Sequence, residues 1–325
     1  MGTRTTSTRE YDLFGPWIDE VCAPEDVPRV FRQHPVDFGG SRLVLKVPRD
    51  IARRDATPDM DLYENLVVLD REVLTILSLQ ASQAAGRTGR GQAGYATQVV
   101  PVADVVAIRV TVSLLAGDLT IYTRGSAPVH LRFNGAARDS IDRLVRELVA
   151  DVATAPPSPA GASLLSIAPV SHPGPTTPEL FHDVALVSDY LAALRRRPAL
   201  AALAWHGRRA VKPAGQGVTG LGRRALHALA PVALQGAILA RTPETLEVFT
   251  RRAWFARRSE PQYSSSHIIV PLAALDGLDV APHPGYVAID TVGLLVGSDR
   301  IDLSLPADAP ARDLLANRIS RIEPA

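Results

Sequence analysis

The segment Arg251–Arg258, RRAWFARR, combines arginines with two aromatic residues in the way that a binding site for anions does. Guanidinium groups offer a planar fork of N–H donors that suits phosphate and carboxylate groups, and aromatic rings can enter an apolar interface beside them. The candidate binding residues here are Arg251, Arg252, Trp254, Phe255, Arg257 and Arg258. The alternative is that the aromatic residues belong to a strand core and that the arginines are its solvated flanks.

Two other pairs of arginines extend this candidate site. Arg87 and Arg90 lie in a Gly-rich loop that precedes a β-branched run, as the arginine-rich segment also does, and Arg208 and Arg209 follow an apolar stretch. The Gly-rich loop lacks the Lys–Ser/Thr pair and the following helix of a phosphate-binding P-loop. We therefore treat all four arginines as contacts for an anionic partner rather than for a nucleotide.

Catalytic and metal-binding patterns are absent from the sequence. The eight histidines are scattered, no G-x-S-x-G nucleophile motif occurs, and Cys22 is the single cysteine. The acidic run at Asp59, Asp61 and Glu64 lacks the glycine and the terminal glutamate of a calcium loop. We expect a protein without catalysis, metal or cofactor, and an enzyme whose site is assembled only by folding remains the alternative.

Charge is unevenly distributed along the chain. Residues 195–258 contain thirteen arginines and lysines against two glutamates, so the rest of this chain of net charge +1 is acidic. Such a segment either attracts an anionic partner or neutralises the acidic regions against which it packs. Nucleic acid is disfavoured as that partner, because no helix-turn-helix, zinc knuckle or aromatic strand motif accompanies the arginines.

Around residues 97–149, β-branched runs alternate with turn residues, and an amphipathic helix follows. The turns are predicted at Ala116–Asp118 and Arg124–Pro128. Apolar residues then recur at helical spacing from Ile141 to Leu148, with Asn134 before them as a candidate N-cap. This block predicts a β-meander closed by one helix.

A weaker copy of this block lies near the C-terminus. Gln98–Val110 parallels His267–Val280, with Pro101 matching Pro271 at a spacing of 170 (271 − 101). Arg71–Leu77 parallels Pro243–Phe249 at a spacing of 172 (246 − 74), and the order of the blocks is kept. Self-similarity over this length predicts two tandem related domains.

The domain organisation follows from this duplication. We expect an N-terminal extension and first domain over residues 1–152, a linker over 153–178, and a helical segment with the second domain over 179–325. The linker is rich in Pro, Ser and Ala, which predicts a semi-extended segment, although Ser163–Val170 is apolar enough to dock on a neighbour.

The two blocks resemble the bacterial pleckstrin-homology-like (PH-like) domains. The resemblance rests on TILSL, VVPVADVVAIRV, GDLTIY and VHLRF before the first helix, and on LEVFT, IIVPLAALDGLDV and VGLLVGSDRIDLSL before a second helix at Leu314–Ile319. It implies an α+β fold in which each of two curved antiparallel sheets or barrels is closed by a C-terminal amphipathic helix, with extra helical segments.

The resemblance also implies a binding or scaffolding module without intrinsic catalysis. A protein-interaction adaptor with an unknown protein partner is the leading interpretation, and a peripheral contact with anionic lipid through residues 195–258 is the alternative. The N-terminus has no apolar core of a secretory signal, which favours a cytoplasmic location. The uncharged stretch Ala225–Ala240 is too short to span a membrane, so we expect it in a protein core.

Overall fold

The computed structural model describes residues 8–80, 94–152, 154–170, 174–180, 182–215, 230–257 and 263–319. The fold is mixed α+β, with strands predominating over helices. It divides into two compact units. Unit 1 comprises residues 1–105, 115–119 and 130–152, and unit 2 comprises residues 106–114, 120–129 and 153–325.

Unit 1 is built on a five-stranded antiparallel sheet in which each strand pairs with the next in the sequence. Its strands are β1 Asp19–Glu20, β2 Leu43–Pro48, β3 Tyr63–Leu69, β4 Val73–Leu79 and β5 Tyr95–Pro101. Strands β3 and β4 are joined by a tight turn at Asp70–Arg71, where the Asp70 carboxylate accepts hydrogen bonds from the backbone N–H groups of Glu72 and Val73, at 2.7 and 2.6 Å.

The N-terminal extension forms part of the unit 1 core. Helix α1 (Arg9–Leu13) and two 3₁₀ turns (Pro24–Asp26 and Arg29–Phe31) deliver Phe14 and Phe31 to a buried cluster that also contains Tyr63 and Leu66. Apolar burial of this kind anchors a segment that has little regular structure of its own.

The meander and helix predicted over residues 97–149 are observed. After a 3₁₀ turn at Val102–Asp104 come β6 Val105–Ser113, β7 Ala116–Thr123, β8 Ser126–Asn134, a 3₁₀ turn at Gly135–Ala137 and helix α2 Arg138–Val152. The Asn134 side chain caps the 3₁₀ turn that precedes α2 by accepting from Ala136 N at 3.0 Å. Helix α2 buries the predicted apolar residues Ile141, Leu144, Val145 and Leu148.

The first turn of the meander was misplaced by two residues. The chain turns at Leu114 and Leu115, where Leu114 adopts a positive φ of 54°, and Ala116 already lies in β7. Leucine is not a typical turn residue, whereas Gly117 and Asp118 are of types common in turns, and the turn was therefore predicted at Ala116–Asp118.

Among the described residues, the largest sheet has seven strands in the order β8-β7-β6-β16-β14-β13-β9, and three smaller sheets lie in unit 2. The smaller sheets have the orders β17-β19-β20, β10-β12-β15 and β11-β18. Their strands are β9 Ala201–His206, β10 Arg209–Ala210, β11 Lys212–Pro213, β12 Val232–Leu234, β13 Ala237–Arg241, β14 Thr245–Thr250, β15 Phe255–Arg257, β16 Ser264–Pro271, β17 Gly277–Pro282, β18 Tyr286–Val287, β19 Ile289–Val296 and β20 Asp299–Pro306.

Residues 106–114 and 120–129, which we expected in the first domain, belong to unit 2. The physical reason is a pairing between distant parts of the sequence. Strand β6 pairs antiparallel with β16, and the register runs from Ile108 opposite Ile269 to Ser113 opposite Ser264.

The segment predicted as a linker is partly helical and partly buried. Helix α3 (Pro159–Leu165) begins after Ser158, whose hydroxyl accepts from Gly161 N at 3.0 Å, and a proline stands at its first position. Ala160, Leu164 and Ile167 join the main core of unit 2. Docking of Ser163–Val170 is therefore confirmed, and a semi-extended conformation throughout 153–178 is not.

Two more helices lie among the described residues of unit 2. Helix α4 (Val184–Arg196) buries Leu186, Val187 and Tyr190. Helix α5 (Pro310–Ile319) packs on β9 and β17 and places Ala311 and Leu315 in the main core. The uncharged stretch Ala225–Ala240 falls partly outside the described residues, and its described part includes the buried strand β13.

Strand pairing in the two halves of the sequence follows the same register. Leu69 faces Leu74 between β3 and β4, and Arg241 faces Leu246 between β13 and β14, a shift of 172 residues for both partners (241 − 69 and 246 − 74). Between β4 and β5 Val73 faces Pro101, and between β14 and β16 Thr245 faces Pro271. Strand β16 thus stands to β14 as β5 stands to β4.

Candidate functional site

Arg251, the first residue of the predicted anion-binding segment, is buried at 4% exposure. Its guanidinium group pairs with the carboxylate of Asp183 and donates to the backbone oxygen of Ser264. Asp183 also caps helix α4 by accepting from Leu186 N at 3.0 Å. Arg251 is therefore used to hold α4 in place and is not available to an external anion, which corrects its proposed role.

A second buried ion cluster surrounds Glu247, which is 0% exposed. Its carboxylate accepts from Arg197 Nη2 at 2.6 Å and from Thr245 Oγ1 at 2.9 Å, and lies 2.8 Å from His267 Nε2. Burial alone would raise the pKa of Glu247, but the hydrogen bond and charge of His267 and those of Arg197 outweigh burial and hold the pKa below its ordinary value. Glu247 is thus an ionised carboxylate inside unit 2, with its partners supplied by the fold.

Three further arginines of the basic segment make intramolecular contacts. Arg208 Nη2 donates to the backbone oxygen of Arg257 at 2.8 Å, and Arg209 Nη1 lies 2.6 Å from Asp308 Oδ1. Arg241 Nη2 donates to the backbone oxygens of Leu165 and Ile167. Three arginines of residues 195–258, namely Arg197, Arg209 and Arg251, are therefore paired with carboxylates of unit 2, and Arg208 and Arg241 bind backbone oxygens.

The aromatic residues of the segment are packed rather than projecting. Trp254 is partly buried against two apolar clusters of unit 2. Phe255 stacks on Tyr286, with ring centroids 4.4 Å apart, and lies 4.9 Å from His283. The alternative interpretation, in which these rings belong to a strand core, agrees with this packing.

The remaining candidate arginines fall into two groups. Arg252 and Arg257 are exposed at the surface, and the backbone N–H of Arg252 donates to Ser264 Oγ at 3.3 Å. Arg87, Arg90 and Arg258 lie outside the described residues. The structure thus brings Arg208 and Arg257 together and leaves no common anion cradle among the described arginines.

Two buried polar residues of unit 2, His206 and Gln235, each have a side-chain nitrogen without a hydrogen-bond partner among the described residues. His206 is buried, with Nδ1 3.2 Å from the backbone oxygen of Gly207, and burial lowers its pKa to about 4. Gln235 is also buried, and neither His206 Nε2 nor Gln235 Nε2 has a hydrogen-bond partner among the described residues. The imidazole is neutral near pH 7, so both side chains are polar but uncharged.

Strand β5 is an edge strand with a run of exposed residues. It is the last strand of the five-stranded sheet, and the residues Ala96–Val99 are all exposed, Val99 at 59%. We call Ala96–Val99 the open edge. The corresponding strand β16 is covered on its outer side by β6, and its residues Ser266, Ile268 and Ile269 are buried.

Neither the family models, the curated proteins nor the solved structures matched this chain. The geometry of the chain itself must therefore carry the functional argument. Within the described residues, no group of three or more His, Cys, Asp and Glu side chains is arranged to hold a metal ion, and no helix is long and apolar enough to cross a membrane.

Sequence reasoning did not single out the open edge. A signal was present in the parallel between the two sequence blocks: where the second block has the apolar Ile268, the first has the polar Gln98 at the spacing of 170. A polar residue at a position that is apolar in the related strand indicates that the two strands have different neighbours.

A small exposed apolar surface lies elsewhere, in unit 2. Leu114 and Tyr263 are 68% and 69% exposed, and the backbone N–H of Leu114 donates to the oxygen of Tyr263 at 3.2 Å. The neighbouring chain segment contains the exposed Arg252. Leu114 and Tyr263, rather than Trp254 and Phe255, are therefore the exposed apolar side chains that this region offers to a partner.

Proposed function

We propose that this protein is a non-catalytic adaptor that binds a protein partner along the open edge of β5. The proposal includes a duplicated PH-like architecture. In its favour, each half of the sequence supplies four antiparallel strands, then three more strands, then one helix. In the first half these are β2 to β5, β6 to β8 and α2. In the second half they are β9, β13, β14 and β16, then β17, β19 and β20, then α5. The matching strand registers support the same duplication.

The exposure of Ala96–Val99 is the observation that carries the proposal. An edge strand offers a row of backbone N–H and C=O groups to an incoming extended segment, and exposed side chains on both of its faces leave room for that segment. Edge strands are usually protected by charge, and the open edge contains no charged residue. The backbone groups along the outer side of the related strand β16 are already hydrogen-bonded, because β16 pairs with β6.

The adaptor proposal is tested with the double variant Thr97→Lys/Val99→Lys. Both residues are exposed, so the fold is expected to persist, while two charges on the edge oppose strand addition. The full-length protein is used to capture partners from the extract of its own source cells, followed by crosslinking that maps the contact. We expect a partner that crosslinks near β5 and that the double variant loses.

The matched control is Ala127→Lys, at an exposed position of the edge strand β8. It should retain the partner, because it adds charge to a different edge. The adaptor proposal is wrong if no partner is captured, or if the double variant and the control retain it equally.

The second candidate function is a contact with anionic membranes, and the exposed pair Leu114 and Tyr263 beside Arg252 favours it. Apolar side chains that enter a headgroup region and cations that meet lipid phosphates act together in peripheral binding. We expect co-sedimentation with vesicles of anionic but not neutral lipid, reduced in Leu114→Ser/Tyr263→Ser and unchanged in Val287→Ser, another exposed apolar residue. Equal sedimentation with neutral and anionic vesicles, or none with either, would remove this candidate.

A further inference from the structure

Strands β6 and β16 pair with each other within the chain, and we call this pairing the internal junction. Two other strands, β5 and β17, correspond to β16 and β6 but are not paired with each other. Strand β5 corresponds to β16 by its register against β4, and β17 corresponds to β6, because each follows Pro101 or Pro271 and opens a three-stranded meander that ends in a helix. Within the described residues, β5 and β17 are each the last strand at one end of their sheets.

We propose that β17 of one molecule pairs antiparallel with β5 of a second molecule, in the register that β6 and β16 use. This inference rests on the proposed function, since it names a second copy of the chain as one partner of the open edge. A junction of this kind is heterologous: each molecule contributes β5 on one side and β17 on the other. The product is a head-to-tail series of molecules rather than a closed symmetric dimer.

The register of the internal junction fixes the contacts of the proposed one. Ile269 faces Ile108 in the structure, and the spacing of 170 converts this pair to Val99 and Leu278 (269 − 170 and 108 + 170). In the same way, the facing pair Ile268 and Arg109 corresponds, at the spacing of 170, to Gln98 facing Asp279. An apolar residue is thus matched with an apolar one, and the polar Gln98 with the charged Asp279.

The outer end of β17 is accessible for this pairing. Ala281 and Pro282 are exposed, whereas Leu278 is buried in the main core of unit 2. The Asp279 carboxylate accepts from Gly293 N at 3.1 Å and pairs with Arg300, which holds it in position along the strand. A junction of about six residue pairs buries little surface, so the series is expected to be reversible and dependent on concentration.

Sedimentation velocity over a range of concentrations tests the junction. The wild-type protein should form species of increasing size without a preferred end point. Thr97→Lys/Val99→Lys lacks a working β5 edge, and Ala281→Lys adds charge to the β17 edge at an exposed position, so each variant should sediment as a monomer. Ala127→Lys should behave as the wild type.

The decisive experiment mixes the two variants Thr97→Lys/Val99→Lys and Ala281→Lys. The double variant retains β17 and Ala281→Lys retains β5, so their mixture should form a species of two molecules and nothing larger. A wild-type protein that stays monomeric at its highest attainable concentration, a closed dimer, or a mixture that remains monomeric would each overturn the inference. If the wild type is monomeric and yet captures another protein through β5, the adaptor function stands and self-assembly alone is wrong.

Discussion

Arg251 and Arg252 are neighbours in the chain, yet their side chains lie in different surroundings. Arg251 is buried against Asp183, and Arg252 is exposed. A charge that is buried and paired is costly to disturb, because removing one partner leaves the other without compensation. The same residue type in the same segment thus stabilises the fold at one position and faces outward at the next.

Replacement of Arg251 tests its structural role. Arg251→Met should lower the free energy of unfolding by about 3–5 kcal/mol, since Asp183 remains in a largely buried position without its partner. Urea denaturation measures the change. The exposed Arg195→Met serves as control and should stay within about 0.5 kcal/mol of the wild type. Equal stability of both variants would contradict the assignment of Arg251 to the core.

His206 makes the stability of unit 2 sensitive to pH. Its pKa is about 4 in the folded protein, because the imidazole is buried, and about 6.5 in an unfolded chain. The unfolded state therefore binds more protons between these values, and stability that is fully present above pH 6.5 is lost as the pH falls toward 4. The loss attributable to this residue is on the order of 3 kcal/mol.

The measurement compares urea unfolding of the wild type and His206→Gln at pH 7 and at pH 4.5. The variant should lose less stability than the wild type between the two values, since glutamine does not titrate. The effect of His283 persists in both proteins, because burial lowers its pKa as well. The exposed His130→Gln should follow the wild type, and parallel curves for all three proteins would refute the role of His206.

Sequence reasoning identified the arginines of the basic segment but not their partners. Arg251 pairs with Asp183 and Arg197 with Glu247, at separations of 68 and 50 residues. Such pairs depend on which strand and which helix end meet in space. Local composition therefore predicted the charge of the segment correctly and left open whether that charge is compensated internally.

At the scale of elements, helix α3 shows how a Pro-rich segment becomes part of a core. The capping hydroxyl of Ser158 and the proline at position 159 favour a helix start, and Leu164 then reaches the main core. An added Cβ at Gly161 would lie 2.2 Å from the backbone oxygen of Leu272, which indicates how closely the helix approaches its neighbour. The helix is therefore held by packing rather than by its own propensity.

Leu164→Ala tests whether α3 is a structural part of unit 2. The substitution leaves a cavity around a fully buried side chain, so unfolding should become easier by about 2–5 kcal/mol. Thermal or urea unfolding provides the measurement. Val170→Ala, in the same segment but 41% exposed, should cost much less. Similar small effects for both would mean that the segment behaves as the linker suggested by its composition.

Local signals predicted the elements where neighbours in the sequence determine the structure. The apolar period of Ile141–Leu148 predicted helix α2, because a helix face depends on residues three and four positions apart. The turn at Leu114 and Leu115 was misplaced, since its positive φ belongs to a residue type that rarely adopts it.

For the molecule as a whole, the parallel between the two sequence blocks predicted strands in equivalent positions but not how those strands pair. Strand β6 pairs with β16 across a long separation in sequence, and no local pattern specifies that pairing. As a result, β16 is covered on its outer side by β6, whereas β5 is the exposed last strand of its sheet.

Amide hydrogen exchange, resolved by residue and repeated at low and high protein concentration, tests the open edge most directly. The amides of Ala96–Val99 that point away from β4 should exchange rapidly in dilute protein and become protected as the concentration rises. Those of Ser266–Ile269 in β16 should exchange slowly throughout, because β6 and β14 bond to both sides of that strand. Strong protection of every β5 amide in dilute protein, equal to that of β16, would contradict an edge open to a partner.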